Sequence, residues 1–258
     1  MIIHDVGVDS LGEGSDPRIA EEAATAIREL GGSATASSIT INQREGCQEL
    51  IQMIQTDFGR LDSIIHNAGW VGYQSIEELT PEFLDKAVRI QLEAPIWLAQ
   101  SAWPLFKSQD YGRLVFTTSD RGIYPEYAQA GLTAYATTKI SQIGLMNILA
   151  EEAKGLNIQI NTVSPVAKTR MWGVTGQPED LLPEAIVPGV VFLASSAIEE
   201  SGWVLRAANG QFIATKSVEA VNVTYPTDLR GVTAYSVEEV AQQWPDIAKV
   251  VPESRVNS

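Results

Sequence analysis

Apolar positions recur along the chain with two alternating periods. Met1–Asp5 is a short apolar run ending in an acid, which predicts a strand. Val6–Ser15, rich in Gly and Asp, predicts a loop. Asp16-Pro17 predicts a helix start, Ile19, Ala23, Ile27 and Leu30 follow at helical spacing, and Gly31-Gly32 closes the helix. Ala34–Ile41 reads as a strand. The next helix carries Cys47, Leu50, Ile51, Ile54 and Phe58 on one face and ends at Gly59. Leu61–His66 is short enough for a buried strand. Thr80-Pro81 opens a helical segment to about Phe106, and Pro95 inside it predicts a bend or break. Arg113–Thr118 reads as a strand, Thr133–Glu152 as a helix, and Ile158–Val163 as a strand stopped by Ser164-Pro165. Pro183–Ser195 predicts a short helix. Asn209-Gly210 predicts a hairpin between Trp203–Ala207 and Gln211–Thr215. Ser236-Val237-Glu238-Glu239 is a capping box opening a last helix.

Strands alternating with helices predict an α/β protein, a parallel sheet with helices on both faces. One domain is expected over residues 1–215. A tail, 216–258, is expected to pack its short helix on that domain. The chain of 258 residues is long enough for one sizeable core.

Charge and composition narrow the function classes. The net charge of −14 argues against nucleic acid and anionic membrane as partners. Cys47 is the one cysteine and His4 and His66 the two histidines, so neither a disulfide framework nor a metal site is expected. No apolar run approaches the roughly 20 residues of a membrane helix. The first residues lack a basic and then apolar leader, so a cytoplasmic protein acting on small molecules is expected.

Tyr135 and Lys139 share one helix face, being four residues apart. A lysine ammonium near a phenol favours the phenolate, and such a tyrosine can exchange a proton with an alcohol or carbonyl oxygen. Alone, the pair also fits an ordinary amphipathic surface. Ser119 stands at the carboxyl end of the preceding strand, where open parallel sheets bind ligands, and can donate to a substrate oxygen or merely cap a loop. Asn67-Ala68-Gly69 follows another strand, and its small residues permit close approach. Asp5 ends the first strand, where a carboxylate accepts from ribose hydroxyls or caps its own loop.

In one order, Asn67-Ala68-Gly69, Ser119, Tyr135-x-x-x-Lys139 and Ser164-Pro165-Val166-Ala167-Lys168-Thr169 resemble the classical short-chain dehydrogenase/reductase family. The stretch from Asp5-Val6-Gly7 to Gly31-Gly32, and Val166 to Met171, resemble the branch with the 3-hydroxyacyl-CoA dehydrogenase modules of multifunctional β-oxidation proteins. The resemblance implies a Rossmann-like doubly wound sheet and NAD(H)-linked interconversion of a secondary alcohol and a ketone on an apolar small molecule. It implies Tyr135 as acid/base, Lys139 lowering its pKa and holding the nicotinamide ribose, and Ser119 orienting the substrate oxygen. It also implies Asp5 at the adenosine ribose, favouring NAD over NADP, with Asn67, Ala68, Gly69, Pro165, Val166 and Thr169 along the cofactor cleft. Family members are commonly dimers or tetramers, so a homo-oligomer is expected.

Departures from the family accompany these matches. The family's first strand, its Gly-rich turn and its first helix are absent from these 258 residues; Met1–Asp5 resembles the second strand. The missing strand is central, so its loss leaves a gap or makes the sheet close up. The expectation is a natural protein with this unit upstream. The alternative is a genuine short form with a damaged cofactor site, serving a cofactor-independent hydration, elimination or isomerisation or a binding scaffold. Gln91 stands where the family has the asparagine of its proton relay. Ser119 and Tyr135 are 16 apart instead of the family's usual 13, so Asp120–Ala134 must bulge. Arg170, Met171 and Trp172 fall in the family's lid, and Tyr124, Tyr127 and Trp172 are candidate aromatic walls.

Overall fold

The computed structural model describes residues 1–169, 176 and 178–248. The chain divides into two compact units, Met1–Lys216 and Ser217–Ser258. In the second, the Ser236 hydroxyl accepts from the Glu239 amide and opens α8 (Val237–Ile247), as the capping box predicts. No helix among the described residues is long and apolar enough to cross a membrane.

The first unit holds two sheets. β1 (Ile2–His4) pairs in parallel with β2 (Thr35–Ser37). The second sheet runs β3 (Ser63–His66), β4 (Gly112–Thr117), β5 (Ile158–Val166), β6 (Val204–Ala208) and β7 (Gln211–Thr215). Its first four strands are parallel, and β7 returns antiparallel. The return is made by Asn209 and Gly210 at φ 52° and 75°, the two left-handed residues of the predicted tight hairpin. Among the described residues no strand joins β1 to β3, so of the two expected outcomes the sheet keeps its break instead of closing up.

Helices α1 (Arg18–Glu29), α2 (Arg44–Phe58), α3 (Pro81–Val88), α4 (Ala94–Gln109), α5 (Asp120–Ile123), α6 (Thr133–Glu152) and α7 (Val187–Ala194) connect the strands. The alternation along β4 explains the layers. Leu114 and Phe116 join the core with Leu50, Leu98, Phe106 and Met146 from α2, α4 and α6. Val115 points the other way, to Leu193 of α7 and Ile198. Both faces of the larger sheet are therefore covered, as a parallel sheet requires.

Two prolines shape the backbone on either side of the sheet's carboxyl end. Between α3 and α4 a wide π turn, Arg89–Glu93, precedes Pro95, where a break is expected. Pro95 has no N–H to give Gln91, four residues earlier, and the Gln91 carbonyl instead accepts from the side-chain amide of Gln142 on α6. Pro165, by contrast, does not stop β5, which runs on to Val166 against the sequence expectation. The Val163 carbonyl accepts from Thr118 and the Thr162 amide donates to Trp203, so odd residues of β5 face β4. Pro165 faces that side after β4 has ended, where no ladder bond is lost.

Candidate active site

The larger sheet carries a cavity of about 1000 Å³ at the carboxyl ends of β5 and β6. Ser119, Tyr135, Pro165 and Val166 share its wall with Asp120, Arg121, Tyr127 and Arg206. Val71, Leu132, Phe212 and Ile213 add apolar surface.

Ser119 follows β4 and caps α5: its Oγ accepts from the Arg121 amide at 3.2 Å. Tyr135 lines the same cavity wall, and the Ser119 side chain pulls its phenol pKa down. Its capping role is thus filled, and the longer Asp120–Ala134 segment leaves Ser119 and Tyr135 on the wall of one cavity. That segment folds into α5, a 3-10 turn at Pro125–Tyr127 and a loop into α6.

Lys139 lies one turn after Tyr135, buried, with Nζ 5.9 Å from the phenol ring centre. Nζ donates to the Thr117 carbonyl at 3.0 Å, and the Lys139 carbonyl accepts from Thr118 Oγ1 at 2.7 Å. Burial pushes the ammonium down to about 8. The expected lowering of the Tyr135 pKa by Lys139 is not met. Burial raises the phenol, and the groups that pull it down are Ser119, then Arg121. Lys139 is turned to the Thr117 carbonyl and is itself desolvated, so its charge does not govern the phenol.

Asn67 Oδ1 lies 3.2 Å from Thr117 Oγ1, at the end of β3. Gly69 sits against Gln91, whose Oε1 would stand 3.1 Å from a Cβ there. Ala68 packs on the core. Gln91 is buried on the π turn, and both its side-chain polar atoms lack a hydrogen-bond partner among the described residues, as does His66 Nε2. Burial first, then the charges of Lys139 and His4, push His66 down to about 3. Thr169 lies beyond β5. Arg170, Met171 and Trp172 lie outside the described residues. Asp5 follows β1 on the other sheet, and its Oδ1 accepts from the Gly7 amide at 2.7 Å.

Sequence reasoning missed one network. Asp120 Oδ1 accepts from Ser164 Oγ at 2.7 Å, and Oδ2 accepts from Arg206 Nε at 3.0 Å and Nη2 at 2.8 Å. The guanidinium of Arg206 lies 4.6 Å over the Tyr124 ring. The available signal was an arginine inside the otherwise apolar strand Val204–Ala208. Gln142, a polar residue on the inner face of α6, was equally unmarked.

The nicotinamide cofactor implied by the family can be tested against these residues. At one end they fit: Lys139 is buried with a single acceptor among the described residues, leaving N–H groups for a ribose hydroxyl. At the pyrophosphate end, among the described residues, no strand with a following glycine-rich turn lies between β1 and β3 in sheet order; Gly7, Gly12 and Gly14 follow β1 instead.

The short chain dehydrogenase family model matches residues 10–180. Peroxisomal multifunctional enzyme type 2 of Mus musculus is 33% identical over 214 residues, 81% of this chain and 28% of that enzyme. This chain therefore spans well under half of the mouse protein's length. A short-chain type dehydrogenase/reductase of Mycobacterium tuberculosis is 29% identical over 252 residues, 96% of this chain and 84% of its own. The crystal structure of a short chain dehydrogenase from Mycobacterium avium superposes with a TM-score of 0.77 at 22% identity, covering 97% of this chain and 88% of that one. The last agrees in fold, and the family match spans β3, β4, α6 and β5, the elements that bring Ser119, Tyr135 and Lys139 together: the chain belongs to the short-chain dehydrogenase family.

Proposed function

We propose that the protein is an oxidoreductase that interconverts a secondary alcohol and a ketone on an apolar substrate, with NAD(H) as cofactor and Tyr135 as acid/base. The observation that carries this is the placement of Ser119 and Tyr135 in the wall of one large cavity, with Lys139 Nζ 5.9 Å from the phenol ring centre. Ser119 Oγ accepts from the Arg121 amide, and its one hydrogen would turn to a substrate oxygen, orienting it and stabilising charge growing there. The phenol of Tyr135 is raised by burial and stays protonated at neutral pH, which makes it a proton donor to a carbonyl oxygen. Removing the proton from an alcohol needs the phenolate, so oxidation gains from rising pH. Lys139, Asn67, Pro165 and Val166 would hold the nicotinamide end, and the bound cofactor supplies or accepts the hydride. Asp5 would take the adenosine ribose through the oxygen that Gly7 leaves free, and would disfavour the 2′-phosphate of NADP.

Calorimetric titration of NAD⁺, NADH and NADP⁺ into the chain, with Asp5→Ala as control, tests the cofactor. Micromolar binding of NAD(H), weakened by the substitution, supports the reading. Absence of binding by the folded chain overturns it. Ketone reduction lost in Tyr135→Phe, with NADH binding kept, supports the acid/base role. The broken sheet favours one second reading, cofactor-independent acid–base chemistry by the same residues, for which NAD-free turnover lost in Tyr135→Phe is the signature. We also propose a homodimer or homotetramer built on α3–α4 and α6; a monomer by light scattering at micromolar concentration overturns that.

A further inference from the structure

The cavity wall carries an imbalance of charge that the acid/base reading does not use. Two guanidinium groups, Arg121 and Arg206, face one carboxylate, Asp120. That carboxylate is fully engaged: Ser164 holds one oxygen and Arg206 the other. Arg206 is thereby neutralised and fixed against Tyr124.

Arg121 is different. It is exposed at the rim, its Nη1 donates at 2.8 Å to the Tyr127 carbonyl, and no carboxylate among the described residues pairs with it. One N–H is used to fix the planar group in place, and the rest of its donor fork is free. In a chain of net charge −14 the cavity thus keeps one uncompensated positive charge. The field of Arg121 reaches the Tyr135 hydroxyl. Arg121 and Tyr135 line the same cavity. Val71, Leu132, Phe212 and Ile213 line the same cavity with apolar surface.

We propose that Arg121 binds a carboxylate of the substrate while Ser119 and Tyr135 hold its oxygen, so that the substrate is an apolar hydroxy or keto acid and not an uncharged ketone or alcohol. This rests on the proposed placement of the reacting oxygen. It adds a charged end to the apolar substrate. A fixed guanidinium with free N–H groups suits a carboxylate's two oxygens.

The test is binding without cofactor. 3-Hydroxyoctanoate and its methyl ester are titrated calorimetrically into the full chain at pH 7.5 and low salt, for the parent, Arg121→Gln and Arg121→Lys. The parent is expected to prefer the acid by about tenfold or more, the range of a charge-assisted hydrogen bond. Arg121→Gln is expected to lose that preference while binding the ester as before, which also shows that it folds. Arg121→Lys keeps part of the preference, and added salt erodes it in the parent. Equal binding of acid and ester, no binding of either, or a preference that survives Arg121→Gln overturns the proposal. Acid preference with no turnover on NAD⁺ overturns the dehydrogenase reading and leaves this one standing.

Discussion

Acidification should weaken the fold through His66, by an amount that its burial sets. The ring is buried at the end of β3, its Nε2 has no partner among the described residues, and desolvation with the nearby charges of Lys139 and His4 pushes it down to about 3. An unfolded histidine titrates near 6.5. Below that pH the unfolded chain binds a proton that the folded chain refuses. Stability from this group is complete above about 6.5 and is lost as pH falls toward 3. The slope approaches about 1.4 kcal/mol per pH unit, so roughly 2 kcal/mol goes between pH 6 and 4.5. That is a sizeable part of a typical domain's 5–15 kcal/mol. Urea unfolding of the parent and His66→Gln at several pH values measures it. Whatever the substitution costs at pH 7, the gap between the two proteins should narrow by about 2 kcal/mol between pH 6 and 4.5. The His66 ring proton resonance should stay put over the same interval. Parallel stability curves, or a resonance with a midpoint near 6.5, would refute the reasoning.

Four further outcomes rest on packing. Cys47 is fully buried, donates to the Ile41 carbonyl at 3.4 Å, and burial pushes its thiol up to about 11, so a thiol reagent at pH 8 should label the urea-unfolded chain on the order of a hundredfold faster than the folded one. Gly46→Ala should lower the melting temperature, since its Cβ would sit 1.8 Å from the Thr40 carbonyl oxygen; the contact should outweigh the ~1 kcal/mol helix gain and leave a loss of about 1–3 kcal/mol. Gly144→Ala on α6 meets nothing within 4 Å and should show that gain, about 1 kcal/mol, in the same melt. Phe106→Ala empties a fully buried site in the main core and should cost about 3–5 kcal/mol in urea unfolding.

Elements with local chemical signals were legible in the sequence. α6 runs from Thr133 to Glu152 as the sequence predicts, and the Asn209-Gly210 hairpin and the Pro95 distortion stand where turn chemistry and the missing N–H put them. β5 was cut short at Ser164-Pro165 because proline's effect depends on what lies beside the strand, and that partner, β4, is fixed by tertiary pairing. The site divides the same way. Spacing gave Tyr135 and Lys139 on one helix face. It could not give the phenol's raised pKa, because desolvation is a property of the packed core. Asp120 and Arg206, 86 residues apart, meet only because β4 and β6 both flank β5.

The break in the sheet predicts unequal local stability, with a consequence for the site. β4 is buried along all six residues and lies between β3 and β5. β1 and β2 have three residues each and, among the described residues, pair only with one another, and α1 contributes just Ala20 and Ala24 as buried residues. Opening the small sheet exposes little apolar surface, so it should cost much less than global unfolding. Native-state hydrogen exchange should therefore find the Ile3 and Ser37 amides, which face each other's strand, far less protected than Val115 and Phe116. Equal protection would mean that the two sheets open as one unit and would sink the argument. Ser119, Tyr135 and Lys139 are carried by β4 and α6, so they keep their geometry when the small sheet opens. Asp5 follows β1 and moves with it. A dinucleotide that draws on Asp5 must hold the small sheet closed, so NADH should raise protection at Ile3 and Ser37 in the parent and not in Asp5→Ala. NADH protection confined to the β4 and α6 side would leave Asp5 outside the cofactor site.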